Sequence, residues 1–295
     1  MKLISLIFPL LLLQCCNAQP VEKLQSNSDD NTLLWEISGT HLSKPTYLFG
    51  TFHLMCKEDI HFSNQLKAAI KNADEVYFEM DLDDPANTLG AMFFMNMKDE
   101  KVLKDLYTEA EYKRLQRFFD DSLHMTLTML QHIKPNFLEA FLYPKMMPCK
   151  TMSGIEEELM KISKEQKKEI KGFETIAFQA SVFDSIPYES QAKDLLKAID
   201  SMNVYQQYFD SMLNVYKTQH LSAIESMFTK SEFGLEANRD VLLDNRNKNW
   251  VEQLNKILPE KSLFIAVGAG HLVGEKGLIS LLRKAGYTLR PLLNK

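Results

Sequence analysis

Two segments far apart in the 295-residue chain share one construction: an apolar run, a glycine, two residues, then a histidine. They are Gly50-Thr-Phe-His53 and Gly268-Ala-Gly-His271. Glycine lets the backbone turn sharply where a strand ends. The histidine is then presented at the carboxyl edge of a sheet, where open α/β folds bind their ligands. Imidazole suits both metal binding and proton transfer near neutral pH, so the spacing leaves both chemistries open. Glu79 lies near the end of another apolar run, Glu-Val-Tyr-Phe-Glu-Met, and could reach the same edge. There it would be a third metal ligand or a general base. It could equally be a surface glutamate beside the acidic loop of Asp81, Asp83 and Asp84.

Further residues could support such a centre. Arg246 and Asn247 precede the strongest apolar run, and an arginine there could stabilise an oxyanion or grip a carboxylate with two bonds. A solvated helix face is the plainer reading of the same pair. Glu174-Thr175, with Gln179 beyond, follows a strand end and reads as a capping and outer-shell element. Glu275 lies four residues after His271 and could orient it, although stabilising the next helix through its dipole is the simpler role. His41, His61, His124, His132 and His220 lack the glycine context and read as structural or surface residues. The chain has no HExxH, Walker A, GxSxG or paired CxxC motif, which removes support for zincin, nucleotide-binding, serine-hydrolase and zinc-ribbon chemistry.

The elements that must position these side chains follow from periodicity. Residues 33–38 and 47–50 read as strands joined by turn residues, and 62–72 as a helix with Leu66, Ala69 and Ile70 on one face. Residues 75–80 form the next strand, completing a strand–helix–strand unit of about 35 residues, the length of a parallel crossover. Residues 86–150 change character and read as a helical insertion, with a capping box at Thr108 and Glu111. Its methionines, Met92, Met95, Met97, Met125 and Met129, could line an adaptable groove, although core filling is their commoner use. Ser153 and Glu156 read as a second capping box. A short strand at 170–173 and mostly helical sequence over 188–257 follow. Residues 262–268 are apolar on both faces, as a central parallel strand must be. A helix to about residue 285 and a strand at 287–290 close the fold. The class is α/β, a mostly parallel sheet with surrounding helices.

Composition is that of a globular domain, with 45% apolar and 25% charged residues. Residues 1–18 have a basic start, an apolar stretch too short for a bilayer and a small residue before Gln19, the layout of a cleaved secretory signal peptide. A lipoprotein signal, with lipid on Cys15 or Cys16, ranks second because Gln14 is bulky for such a site. Residues 19–31 read as a flexible polar leader before a domain over 32–295. Without the signal, 33 basic residues face 39 acidic ones, a balance that argues against nucleic acid as partner. Export permits a disulfide between Cys56 and Cys149, but sequence gives no distance, and a small buried hydrophobe is the default for each cysteine.

Taken together, Tyr47-Leu-Phe-Gly-Thr-Phe-His53, Val76-Tyr-Phe-Glu79, Gly172-Phe-Glu-Thr175 with Gln179, Arg246-Asn247 and Val267-Gly-Ala-Gly-His-Leu-Val-Gly-Glu-Lys-Gly277 resemble the TraB/GumN family, which includes the Tiki proteases. The resemblance runs from about residue 32 to 292. It implies a fold like that of erythromycin-esterase-like and ChaN-like proteins. It further implies a divalent metal, manganese or cobalt, held by His53, His271 and Glu79, with Arg246 as the family's arginine and a peptide or protein as substrate. Its rival is a non-catalytic protein of the same fold that captures iron, haem or a peptide.

Overall fold

The computed structural model describes residues 29–85, 93–229 and 236–295. The signal segment, most of the leader and Met92 lie outside the described residues. Eight strands occur in chain order: β1 Leu34–Ser38, β2 Thr46–Thr51, β3 Met55–Cys56, β4 Glu75–Met80, β5 Met152–Ser153, β6 Glu169–Glu174, β7 Leu263–Gly268 and β8 Thr288–Pro291. Six of them build one sheet in the order β6-β4-β7-β2-β1-β8, and β3 pairs with β5 in a separate two-stranded ribbon.

Four successive strands, β6, β4, β7 and β2, run parallel from one edge, and β1 and β8 complete the other side through antiparallel pairs. Strands β2 and β4 flank the helix Asn64–Asn72, but they are not neighbours. Between them lies β7, contributed by sequence almost two hundred residues downstream. Its residues 263–267 are fully buried, which is why that segment is apolar on both faces while β1 alternates. Parallel strands end on the same side, so Thr51, Met80, Glu174 and Gly268 finish along one edge.

The helices start where their caps predict. Ser63 accepts from Leu66 N, Thr175 accepts from Phe178 N, and Thr108 with Glu111 forms the expected reciprocal box. The box expected at Ser153 and Glu156 does not form. The helix Ile155–Glu165 begins after Gly154, and Ser153 Oγ turns to Glu157 and Glu158 instead. Glu156 is drawn away because it has a stronger, charged partner in His53.

Two hydrophobic clusters result. One surrounds the sheet; the other joins residues 97–146 to the helix Tyr188–Asp200. Met97 and Met125 pack in or against the second cluster, and Met129 is exposed. The insertion's described methionines thus serve mainly as core. Cys56 and Cys149 form a disulfide with Cα atoms 5.8 Å apart, a pairing the sequence leaves open, and Cys56 is therefore no lone buried hydrophobe. The bond fastens the ribbon just beyond His53 to the end of the helical part. Among the described residues no helix is long and apolar enough to cross a membrane.

Candidate functional site

Because β2 and β7 are adjacent and in register, their two glycine-x-x-histidine turns lie side by side. The expected reason for the glycines is corrected. Neither Gly50 nor Gly268 has a positive φ, so freedom to turn is not what they supply. Space is. A Cβ on Gly50 would lie 3.2 Å from the Ala269 backbone and 3.0 Å from Leu272 and Leu33, so the glycine lets one turn pack against the other. A Cβ on Gly268 would lie 3.3 Å from Glu79 Oε1 and 3.7 Å from both the His271 ring and His53 Nε2. The point just above Gly268 is therefore where the three predicted residues converge.

Glu79 is fixed from three directions. Its Oε1 accepts from the Gly268 N–H at 2.8 Å, and its Oε2 accepts from Arg246 Nη2 at 2.6 Å and from Gln179 Nε2 at 3.2 Å. Burial opposes its charge, but the neighbouring histidines, Arg246 and the Gly268 N–H outweigh that and hold the carboxyl well below the usual range. Glu79 is an ionised residue of the site and not part of the acidic surface loop.

Arg246 is likewise no surface residue; its side chain is 10% exposed. Nε and Nη2 make a forked contact with Glu174 at 2.8–3.2 Å, and Nη1 donates to Leu242 O. The guanidinium also lies 4.9 Å from the Trp250 ring centre. Glu174, buried, accepts in addition from Trp250 Nε1 at 2.8 Å. Every oxygen of this carboxylate is used, so its work is to hold Arg246 and Trp250 in place.

His271 is buried against Trp250, with ring centres 4.4 Å apart. Asn247 donates its Nδ2 to the carbonyls of Lys276 and His271. That leaves Asn247 Oδ1 to accept, 2.6 Å from His271 Nδ1, and so places the ring proton on Nδ1. The Nε2 lone pair then faces Arg246 Nη1 at 3.3 Å and Glu79 Oε1 at 3.7 Å. Burial dominates and brings His271 down to about 3, so the ring is neutral. Glu275 is exposed; the ring's outer nitrogen goes to Asn247.

His53 differs. Its side chain is 73% exposed, and its Nδ1 lies 2.7 Å from Glu156 Oε1. Desolvation opposes charge there, but the Glu156 carboxylate outweighs it and pushes His53 up to about 9. Thr51 donates to the same Glu156 oxygen at 2.6 Å, and Tyr216 donates to Gly50 O at 2.8 Å. Glu156 was not legible as a site residue. It is one of three consecutive glutamates in a helix's first turn, where the dipole alone accounts for acids. The one signal was Gly154 before them, where a side chain would collide with the His53 carbonyl.

The fold and site together define an α/β protein with a histidine–carboxylate–guanidinium centre at the carboxyl edge of its sheet. The chain belongs to the TraB/PrgY/gumN family, whose model matches residues 33–291. It is 24% identical over 245 residues to the uncharacterized protein YbaP of Escherichia coli (strain K12), covering 80% of this chain and 87% of YbaP. It is also 30% identical over 105 residues to the metalloprotease TIKI2 of Danio rerio and 34% identical over 103 residues to that of Xenopus tropicalis. Those alignments span 35% and 34% of this chain but only 20% and 19% of the TIKI2 proteins.

Proposed function

We propose that the chain is an exported, metal-dependent hydrolase that cleaves peptide bonds, with His53, His271 and Glu79 as its metal donors. The carrying observation is that two imidazoles and a carboxylate, each with its outer atom already fixed, converge above Gly268. Such outer partners are what ligating histidines need. The charge count supports a divalent ion. With neutral imidazoles, the carboxylates of Glu79, Glu156 and Glu174 against the single Arg246 leave the cluster at a formal −2.

The donor spacing fits in part. Glu79 Oε1 and His271 Nε2 are 3.7 Å apart. Among the described residues, the only trio of donor side chains within 4.8 Å is Cys56, Glu58 and Cys149, and there both sulfurs are spent in the disulfide. His53 is therefore the donor that has to move inward, and it is the exposed one. Arg246 Nη1 can give up the His271 lone pair because it retains Leu242 O.

A bound divalent ion would polarise a carbonyl and lower the pKa of its water. Arg246, braced by Glu174, offers its charge to a developing oxyanion. Glu79 has a second oxygen free of the ion to hold that arginine, and neutral His271 donates no proton. The TIKI2 likeness supports peptide bonds as the substrate and a divalent metal as the cofactor, with manganese or cobalt the first ions to try. The disulfide and the signal-like N-terminus support export. Kinship of fold with erythromycin-esterase-like and ChaN-like proteins belongs to the same reading.

The test is metal analysis of the purified protein beside His53→Ala and His271→Ala, with turnover of a mixed peptide pool before and after chelation. One divalent ion per chain, absent from both variants, with turnover lost on chelation and restored by one metal, is the expected result. Binding that ignores both substitutions sinks the metal site, and turnover that survives chelation hands the base role to the His53–Glu156 pair. A strong visible band without turnover marks iron or haem capture instead.

A further inference from the structure

A cavity of about 470 Å³ opens beside the centre, bounded at one end by His53, Glu79 and residues 268–271. Its walls are apolar, with Phe183, Met212, Met227 and Phe228 among them. Its wall also carries two carboxylates, Glu139 and Asp194, with the rings of Tyr143 and Tyr205 close to them. Among the described residues Glu139 makes no hydrogen bond and no ion pair. Asp194 has only Lys197, one turn along its own helix, as an opposing charge. A half-buried carboxylate that faces a cavity without a partner costs stability, because desolvation is not offset. Among the described residues nothing partners it, whereas Glu79, Glu156 and Glu174 each hold hydrogen bonds. Burial, helped by Asp194, pushes Glu139 up to about 8, so near neutral pH it gives up its proton only as a cation enters; burial, helped by Glu139, pushes Tyr143 up to about 12. Carboxylates between aromatic faces are the recognition chemistry of an organic cation.

We propose that Glu139, Asp194, Tyr143 and Tyr205 form a subsite for the cationic group of a peptide substrate, the side chain of lysine or arginine, while the bond to be cut lies at the His53–His271 end. This names the substrate class for the peptidase reading and rests on it. An amino-terminal ammonium offers the same chemistry, and the two sources separate experimentally. The apolar walls suit the aliphatic stem of a long basic side chain, which favours lysine or arginine.

The experiment compares peptides of otherwise neutral sequence carrying one lysine, arginine or norleucine, each with a free and an acetylated amino terminus. Cleavage and fluorescence-anisotropy binding are measured separately on the wild type, Glu139→Gln and Asp194→Asn. The expected result is at least a tenfold preference in kcat/KM for the basic peptides, whether acetylated or not. In both variants that preference falls toward unity because cleavage and binding of the basic peptides drop. A preference seen only with free amino termini assigns the subsite to the terminal ammonium and overturns the side-chain assignment. Equal handling of lysine and norleucine by the wild type, or a preference that survives both substitutions, overturns the subsite. If no peptide is cleaved, the peptidase reading fails by itself, and the binding arm decides the subsite by the same lysine-against-norleucine comparison. Both substitutions are isosteric. Glu139→Gln is expected to keep or raise Tm, whereas a carboxylate with a structural role would lower it.

Discussion

The two glycine-x-x-histidine turns are written alike, leave adjacent parallel strands and face one point in space, yet their histidines are opposites. His271 is buried, neutral, packed at a tilt against Trp250 and locked by a neutral amide. His53 is exposed, inclined to carry charge and held by a carboxylate. The difference is set by the second residue of each pair of interactions. An amide oxygen beside a desolvated ring fixes its tautomer without inviting a second proton, whereas a carboxylate beside an open ring invites one. One turn is a rigid half-site and the other an adjustable arm. Only together do they make a centre that can be closed around a ligand.

If the proposed hydrolysis holds, removing either histidine should be the largest blow to turnover, and the cost in stability should separate them. We expect more than about a 100-fold loss in kcat/KM for His271→Ala and for His53→Ala, above what outer partners of a metal site carry. His271→Ala should also lose about 1–3 kcal/mol in urea unfolding, because Asn247 Oδ1 and the Trp250 face are left buried and unpartnered. Above about pH 9, where its ring has lost the extra proton, His53→Ala should stay within about 0.5 kcal/mol, as exposed substitutions do. Equal destabilisation by both would remove the distinction between rigid half-site and arm.

The outer partners come next. Asn247→Ala and Glu156→Gln should each cost about 10–100-fold in turnover or metal affinity. Their signatures differ. Without Glu156 the exposed ring keeps its place but loses the charge that favours a proton, so metal should compete better at low pH. Without Asn247 the ring can flip its tautomer, and loss should be uniform across pH. Apparent metal Kd measured at two pH values on each variant checks this, and parallel profiles would break the comparison.

The disulfide tests the arm alone. Cys56 lies three residues beyond His53, and the bond to Cys149 closes a loop of 93 residues. Its replacement by serines should cost about 2–5 kcal/mol in unfolding. Turnover should fall by less than about 10-fold, below the outer partners, because the ribbon and Tyr216 still hold the turn. Hydrogen exchange should rise over the β3 ribbon and leave the β7 turn protected.

Much of this arrangement was legible because its signals are local. The all-apolar run of β7, the cap residues Thr108 and Thr175, and the repeated glycine–histidine spacing each depend on a few neighbouring residues. The position of β7 between β2 and β4 was not legible, since pairing across almost two hundred residues leaves no periodic trace. Glu156 was hidden for a related reason: its partner is 103 residues away, and its neighbours Glu157 and Glu158 mask it as ordinary helix-start acidity. In sequence Arg246 fits either a site residue or a solvated face, and only its enclosure by the distant Glu174 and Trp250 decides between them. The glycines suggest a turn in sequence, whereas close approach is what requires both.

The smallest effect is the most direct reading of the contrast. In chelated protein the two rings should titrate in opposite directions from the ordinary histidine value of 6.5, His53 near 9 and His271 near 3. The folded pKa of His53 is raised, so its contribution to stability is fully present below about 6.5 and is lost as pH rises through about 9. His271 has the opposite sign: its folded pKa is lowered, so its contribution is present above about 6.5 and is lost as pH falls toward about 3. Ring resonances assigned by the two alanine variants give both values, and urea midpoints for the wild type and Glu156→Gln give the slope. Glu156→Gln should flatten the alkaline limb and leave the acid limb of His271 in place. Two rings titrating together near 6.5 would mean that neither environment is as the structure has it, and the division of the centre into lock and arm would fall.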